Sequence, residues 1–216
     1  MLFNIFTREG IISLLYTLPA LLISLAIHEF AHAYTAYKLG DESQKYLGRL
    51  TLDPFKHIDW MGFLCIILVG FGWGKPVILN DSRFKNKAKG NMLVALAGPA
   101  SNLLLAIIFT LILKILAIFG VAELALTNIV AFVFINMLIL AIEFNVVFAI
   151  FNMIPIPPFD GSRVLRFFLP YKAKIKYDSL ERYSFLIIII FLVTGIGSYI
   201  VTPIANLILK LLTLML

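Results

Sequence analysis

Long apolar runs dominate the chain, and short polar or charged segments separate them. Four of these runs reach the length of about 20 residues that a helix needs to cross the hydrocarbon of a bilayer. They cover residues 17–39, 92–119, 128–153 and 183–216. Glycines and a proline interrupt the last run, which therefore predicts either one bent span or a tight helical pair. The pattern predicts an all-α polytopic membrane protein, a bundle of about four to six transmembrane helices.

A shorter apolar run covers residues 60–73 and is too short for an ordinary span. A re-entrant or interfacial segment is the expected structure. Residues 75–79 follow it and read Lys-Pro-Val-Ile-Leu, which is β-prone and has its proline near the start, as an edge strand does. We therefore expect a small re-entrant or β element beside the bundle, on its cytoplasmic side.

Composition supports a membrane protein. The chain is 61% hydrophobic and 14% charged, whereas soluble domains are roughly 25% charged. Its 216 residues suffice for one compact bundle and leave no room for a second soluble domain. We therefore interpret residues 1–216 as a single integral membrane domain.

The distribution of positive charge predicts the orientation of this domain. Nine of the 18 Lys and Arg residues lie in residues 38–89 and six lie in residues 163–182, whereas residues 120–128 contain none. By the positive-inside rule, both basic loops face the cytoplasm and residues 120–128 lie outside. The net charge of +6 thus indicates orientation, and no nucleic-acid partner is expected.

The first span contains the sequence HEFAH at residues 28–32. His28 and His32 are one helical turn apart on the same face, and Glu29 lies on the neighbouring face. This H-E-x-x-H arrangement is typical of zinc proteases, in which the histidines bind the metal and the glutamate takes a proton from water. The alternative is two core histidines satisfied by neighbouring helices. Three polar side chains clustered at membrane depth are costly, which favours a shared purpose.

A zinc enzyme needs a further ligand, and Asp160 is the candidate. Prolines stop the third span within residues 152–161, NMIPIPPFDG, and Gly161 permits a sharp turn. Non-helical backbone at membrane depth is tolerated only around a protein-lined or watered cavity. Two interpretations stay open on spacing alone: Asp160 binds the metal, or it caps a helix that begins near Ser162.

Three motifs together resemble the site-2 protease family of intramembrane zinc metalloproteases. They are HEFAH, GPASN at 98–102 and NMIPIPPFDG, and the resemblance covers residues 18–165. It implies that zinc is bound by His28, His32 and Asp160, with Glu29 as the catalytic base. Asn152 is similar to a family residue near the metal, where it would help to hold the oxyanion. The stretches GRLTLDPFKHIDWMG and GWGKPV look like the compact branch without PDZ or CBS domains, and Phe159 stands where leucine is usual.

The implied activity is hydrolysis of peptide bonds within or next to transmembrane segments, as in regulated intramembrane proteolysis. Its partners would be transmembrane protein or peptide substrates and the lipid bilayer, in a bacterial-type plasma membrane, with the active site near the cytoplasmic face. Residues 76–79 would hold an unwound substrate by strand pairing or would merely pack on the bundle. A metal-binding membrane transporter is the alternative function, although it does not explain Glu29. Oligomeric state and the number of crossings after Tyr183 stay open.

Four other polar residues receive simpler interpretations. We expect His57 to be solvated or interfacial, with a fourth metal ligand as the alternative. Glu143, within the third span, would pair with a polar neighbour or line the cavity. Lys114 would extend toward the outer interface. Asn102 would join helices by hydrogen bonds, without a catalytic part.

Overall fold

The structure is a computed structural model that describes residues 7–69 and 72–216. Gly70 and Phe71, which belong to the predicted re-entrant segment, lie outside the described residues. The helices are α1 (Arg8–Lys38), α2 (Ser43–Tyr46), α3 (Trp60–Val69), α4 (Lys87–Ile118), α5 (Val121–Leu124), α6 (Ile129–Asn152), α7 (Asp160–Phe168), α8 (Tyr171–Asp178), α9 (Ser184–Thr194) and α10 (Ile196–Thr213). Single 3-10 turns lie at Pro54–Lys56, Asp81–Arg83 and Ser179–Tyr183.

Four of the described helices, α1, α4, α6 and α10, are long and apolar enough to cross a membrane. This confirms the prediction of an all-helical membrane protein. Helix α1 begins earlier than the sequence pattern predicts, because Pro19 lies inside the helix instead of starting it. Thr7 caps its start by accepting a hydrogen bond from the Gly10 N–H.

The spanning helices alternate in direction, and α4 lies between α1 and α6. Asn102 of α4 bonds to Ser24 of α1, and Val94 of α4 bonds to His32 of α1, so residue numbers fall along α4 as they rise along α1. Asn102 also bonds to Asn145 of α6, and Ala106 shares an apolar cluster with Ile142 of α6. Both neighbours are therefore antiparallel to α4. Fully buried alanines such as Ala33, Ala95 and Ala106 line these contacts. Small side chains let helix backbones approach closely, which is how helices associate where burial from lipid gives little free energy.

The chain breaks at the end of α6 and turns back into α7. Helix α7 begins at Asp160 itself, two residues before the start that spacing suggested. Helix α8 is tied beneath it by a two-pronged ion pair between Arg166 and Asp178, at 2.6 and 2.7 Å. Hydrogen bonds from Arg166 hold the pKa of the Asp178 carboxyl below its usual value. The Tyr177 hydroxyl also donates to the Pro155 carbonyl, so α8 supports the proline-containing turn.

The segment between α1 and α4 is largely irregular. The described residues contain no β-strand, only an isolated bridge between Ile58 and Gly74. Gly62 of α3 packs against the main chain of Trp73, which follows the helix, and a Cβ on Gly62 would overlap it. Residues 75–79 form no strand: the Lys75 N–H donates to the His57 main-chain oxygen beside the bridge, and the carbonyls of Pro76 and Ile78 accept from the side chains of Arg49 and Gln44. The predicted β element is therefore not found among the described residues.

Beyond Tyr183 the chain forms one short and one spanning helix. Helix α9 has 11 residues, too few to cross a bilayer, and it ends at Gly195, whose φ of 66° lies in the left-handed region that favours glycine. Helix α10 packs on α4 and α6 through an apolar cluster that includes Ala205 and Leu212. Lys114 lies near one end of α4, and its Nζ donates a hydrogen bond to the Met215 carbonyl at 2.5 Å. This bond holds the residues that follow α10 against α4.

Candidate metal centre

Three potential ligand atoms meet between α1 and the start of α7. The Nε2 atoms of His28 and His32 are 3.0 Å apart. Oδ2 of Asp160 lies 3.2 Å from the first nitrogen and 3.1 Å from the second. Within the described residues these three side chains form the group of His, Cys, Asp and Glu that could hold a metal ion. Both histidines are buried, with 3% and 7% of their surface exposed.

The hydrogen bond made by His32 determines which of its ring nitrogens is unprotonated and directs a lone pair at the cluster. Its Nδ1 lies 2.7 Å from the main-chain oxygen of Val94 on α4. A carbonyl oxygen can only accept, so Nδ1 carries the proton and donates. Nε2 of neutral His32 therefore presents an unprotonated lone pair to Asp160.

His28 is held in the same way by an amide. Its Nδ1 lies 2.6 Å from Oδ1 of Asn102, whose own Nδ2 donates to the Ser24 carbonyl and to Oδ1 of Asn145. Since the amide nitrogen is occupied with acceptors, the oxygen must face His28 and accept from it. The imidazole of His28 thus also directs an Nε2 lone pair into the cluster.

These three atoms fit a divalent cation. Two nitrogen lone pairs and a carboxylate oxygen would repel each other at 3.0–3.2 Å with no proton between them. Oδ2 of Asp160 is buried and has no hydrogen-bond partner within the described part of the chain. Neutral imidazoles whose other nitrogen donates to a carbonyl or amide oxygen are the usual zinc ligands. The arrangement therefore suits two nitrogen ligands and one oxygen ligand on a single zinc ion.

Helix α4 approaches the cluster at a residue that has no side chain. An added Cβ at Gly98 would lie 2.5 Å from Nε2 of His32 and 2.6 Å from Cε1 of His28. Gly98 belongs to the GPASN motif, and its lack of a Cβ is what allows the α4 backbone to lie against both imidazoles. The Val94 carbonyl and the Asn102 side chain lie one turn on either side of it and reach the two Nδ1 atoms.

The turn before α7 carries Asp160 to the histidines. Phe159 is buried and packs edge-on against Phe151 at 4.5 Å between ring centroids, which anchors the residue before the carboxylate. A Cβ at Gly161 would overlap the main chain of Met153, so the turn can be this tight only with glycine there. Of the two interpretations left open by spacing, the structure has Asp160 facing the histidines at the first residue of α7.

Glu29 lies beside the cluster and is not part of it. It is partly buried, and its Oε1 is 3.3 Å from the position that a Cβ on Gly74 would take. The main-chain oxygen of His57 is 3.2 Å from that same position. The carboxylate therefore faces the loop that follows α3, at the side where that loop passes α1.

The structure also shows the positions of three other polar residues that the sequence singled out: His57, Asn152 and Glu143. His57 is fully buried, not solvated, and its Nε2 donates to the Thr51 carbonyl at 2.8 Å. Asn152 donates its amide to the Phe148 carbonyl of its own helix at 3.0 Å, and it makes no hydrogen bond to the cluster. Glu143 is exposed on the surface of α6, with no polar partner in the described residues.

Sequence reasoning predicted that Asn102 joins helices by hydrogen bonds, which the structure confirms, but it did not find that Asn102, Asn145 and Ser24 hold His28 in place. Asn102, Asn145 and Ser24 are all fully buried and linked by hydrogen bonds across three helices. The signal available was the presence of asparagines, Asn102 and Asn145 among them, in largely apolar spans, where an unpaired amide costs free energy. That signal could not identify the histidine as the partner of Asn102.

Comparisons with known proteins match this chain to a peptidase family and to relatives named as zinc metalloproteases. A sequence model of "Peptidase family M50" matches residues 16–195. "Putative zinc metalloprotease YwhC" of Bacillus subtilis is 38% identical over 88% of this chain and 86% of its own length. "Putative zinc metalloprotease Rip2" of Mycolicibacterium smegmatis is 30% identical over 80% of this chain, which covers 64% of that relative. The Rip2 protein of Mycobacterium tuberculosis is 34% identical over 67% of this chain and 53% of its own length. No solved structure matches the chain.

The fold and the comparisons together define the class: an integral membrane metalloprotease with zinc as its cofactor. The chain belongs to peptidase family M50, the family of the site-2 proteases. The resemblance carried by the three motifs is thereby confirmed.

Proposed function

We propose that the protein is an intramembrane zinc endopeptidase of the site-2 type, in which His28, His32 and Asp160 bind the metal and Glu29 is the general base. The observation that carries this proposal is the convergence of three ligand atoms at 3.0–3.2 Å, two of them from the spanning helix α1, which also carries Glu29, and the third from Asp160 at the start of α7. A transport site would need ligands along a path, and the described residues offer this one cluster.

The metal, the groups that orient its ligands and Glu29 have distinct tasks in this proposal. Bound zinc supplies a Lewis acid that lowers the pKa of water to about 7 and polarises the scissile carbonyl. The Nδ1–H bonds to Asn102 and Val94 hold both imidazoles with Nε2 toward Asp160. Glu29 accepts the proton of the attacking water and returns it to the leaving amine.

Asn152 is the proposed donor to the oxyanion. It lies at the end of α6, eight residues before Asp160, and its amide now bonds to Phe148 within the same helix. That bond is local, so a substrate carbonyl competes for the amide without disturbing contacts between helices. Donors aimed at the developing oxyanion contribute on the order of 3 kcal/mol to transition-state stabilisation in proteases.

The proposed substrates are transmembrane segments of membrane proteins, unwound at the cleaved bond as in regulated intramembrane proteolysis. Residues 75–79 support this, because the carbonyls of Pro76 and Ile78 are bonded to Arg49 and Gln44 while the main chain of Val77 has no hydrogen bond in the described structure. Val77 therefore has a main-chain N–H and carbonyl without a partner among the described residues, and we propose that an unwound substrate segment pairs with them. Gly74, whose Cβ position would lie 3.3 Å from Oε1 of Glu29, directly precedes this segment.

The active site is proposed to open near the cytoplasmic face of a bacterial-type plasma membrane. Both basic loops, residues 38–89 and 163–182, lie at the end of the bundle where α1 ends and α4 begins, which the positive-inside rule places in the cytoplasm. The relatives named above are all bacterial. We treat residues 1–216 as one catalytic domain.

The test is to compare the wild type with Glu29→Gln, both reconstituted with a panel of single-span reporter proteins. We expect zinc content to be equal in the two proteins and cleavage to fall at least about a hundredfold in the variant, the usual scale for general acid–base catalysis. Glu143→Gln is the matched control, because Glu143 is an exposed carboxylate on another spanning helix. Zinc uptake into vesicles by the wild type, with no cleavage of any reporter, would instead establish the transporter alternative.

A further inference from the structure

We infer that Asn145 is a positioning residue of the metal site, which acts by fixing the amide orientation of Asn102 and through it the tautomer of His28. This inference rests on the proposed metal site and deepens it. It concerns a side chain on α6, although all of the proposed ligands lie on α1 and α7.

The chain of contacts starts at a backbone carbonyl that cannot change its role. Nδ2 of Asn145 lies 2.8 Å from the Ala141 carbonyl, which only accepts, so the amide nitrogen of Asn145 must face it. The same nitrogen donates to Oγ of Ser24 at 2.7 Å, and that hydroxyl gives its own proton to the Ala20 carbonyl at 2.6 Å. Both amide protons of Asn145 are therefore committed.

The orientation of Asn145 then determines that of Asn102. With its nitrogen occupied, Asn145 presents Oδ1 to Asn102, which donates to it from Nδ2 at 2.8 Å. The second proton of Nδ2 goes to the Ser24 carbonyl at 3.2 Å. A flipped Asn102 would set its oxygen against two acceptors, which is unfavourable in a site with no water to compensate.

The result is a fixed proton on His28. Because Asn102 can offer only its oxygen, His28 donates from Nδ1 and leaves Nε2 free for the metal. Ser24, Asn102 and Asn145 are each fully buried, so water cannot replace any of these bonds. A series of hydrogen bonds across three helices, which starts at the Ala141 carbonyl, thus determines that Nε2 of His28 is unprotonated.

The test measures release of Zn²⁺ from the purified, zinc-loaded protein to excess EDTA, followed with a zinc-sensitive dye. Asn145→Leu has a similar volume and removes the orienting oxygen; we expect release to be about tenfold faster, the low end of the range for outer partners of metal ligands. Ser24→Ala is a milder change that keeps the Ala141 bond, with an expected effect of about threefold. Asn136→Leu is the matched control, since that amide bonds only to Phe132 of its own helix, and release should be unchanged.

A second background separates positioning from packing. In Asn102→Asp both side-chain oxygens accept, so His28 keeps an acceptor whichever way the group is turned. Adding Asn145→Leu to Asn102→Asp also removes an acceptor that faces the second carboxylate oxygen, so it should not speed release there, although it speeds release about tenfold alone. A loss of packing would accelerate release equally in both backgrounds and would overturn the inference. Helical content and monodispersity in detergent identify a variant that fails to fold, in which case Ser24→Ala in the same two backgrounds decides.

The absorption bands of bound Co²⁺ give an independent readout of ligand geometry. We expect them to shift in Asn145→Leu and to match the wild type in Asn136→Leu. Unchanged bands and unchanged release in Asn145→Leu would overturn the positioning role alone. A wild-type protein that binds no zinc would overturn the proposed function itself, so the two failures are distinguishable.

Discussion

Three buried polar side chains of α1, α4 and α6 behave differently from the polar side chains of α9 and α10. In the first group Ser24, Asn102 and Asn145 are fully buried and bond from one helix to another. In the second group Thr194 and Ser198 are exposed, and each bonds back to a carbonyl four or three residues earlier. Bonds between helices specify how the helices sit, whereas bonds within a helix do not.

The comparison teaches where the geometry of the metal site originates. Helix α10 packs on the other spans through apolar residues such as Val201, Ala205 and Leu212, which fill space and tolerate exchange of similar volumes. The first three spans instead use directional bonds that end at His28 and His32. We therefore expect substitutions in the first group to change metal binding and those in the second to change stability at most.

Removing a proposed ligand should give the largest effect. Asp160→Ala takes away the carboxylate that lies 3.1–3.2 Å from both imidazoles, and zinc affinity should fall more than the roughly 100-fold upper range for outer partners. Zinc content after dialysis against a chelator measures this, with Asp178→Ala on α8 as the control carboxylate. Equal zinc retention in the two variants would contradict the assignment of Asp160.

The same glycine substitution made in the two regions gives the next largest effect. Gly98→Ala places a Cβ 2.5 Å from Nε2 of His32, so α1 and α4 must separate or the imidazoles must turn, and both zinc binding and proteolysis should be lost. In Gly197→Ala on α10 the one tight contact of the new Cβ is with Cδ1 of Phe191 at 3.2 Å, in a side chain that can move by a few tenths of an ångström. We expect zinc content near the wild-type value there. Similar losses in both variants would remove the distinction between the two regions.

Loosening the loop beside Glu29 should affect cleavage and spare the metal. Arg49 bonds through its guanidinium to the carbonyls of Lys56, Lys75 and Pro76. Arg49→Gln should lower cleavage of a single-span reporter about tenfold, because substrate is held less well, and should leave zinc content unchanged. Arg83→Gln, an exposed arginine in the same segment, is the control. Loss of zinc in Arg49→Gln would show that the loop shapes the metal site and not the substrate path.

The smallest effect is expected in the C-terminal helices. Ser198→Ala removes only a hydrogen bond to the Gly195 carbonyl. The free energy of unfolding should therefore change by no more than about 0.5 kcal/mol, as for most surface substitutions. Zinc content and cleavage should equal those of the wild type. A marked loss of cleavage would place α10 in the substrate path and would break the comparison.

Much of the fold could be predicted from the hydrophobic pattern. The long apolar runs gave four spanning helices in the structure, because length and composition largely decide that a segment crosses the bilayer. Helix bounds were less accurate: α1 extends well before Pro19, since proline is tolerated within a membrane helix. The β-prone Lys75–Leu79 segment forms no strand, because strand formation depends on a partner that local sequence does not supply.

The metal cluster could be approached from sequence only in part. Helical spacing places His28 and His32 together, and the structure agrees. Spacing could not decide between the two roles of Asp160, since its position depends on a turn set by Gly161 and Phe159. The hydrogen bonds from Asn102 and Asn145 depend on how three helices pack, which periodicity does not determine. The roles of His28, His32 and Asp160 as ligands and of Glu29 as base stay predictions until they are tested.

The most direct test of the central claim is X-ray absorption at the zinc edge of the purified wild-type protein. Two imidazoles from α1 and one carboxylate from α7 predict one zinc per chain, with only nitrogen and oxygen neighbours at about 2.0–2.2 Å and scattering from two imidazole rings. In Asp160→Ala any remaining zinc should lose one oxygen neighbour. A zinc ion with sulfur in its first shell, or a spectrum that is identical in the Asp160→Ala protein, would contradict the account.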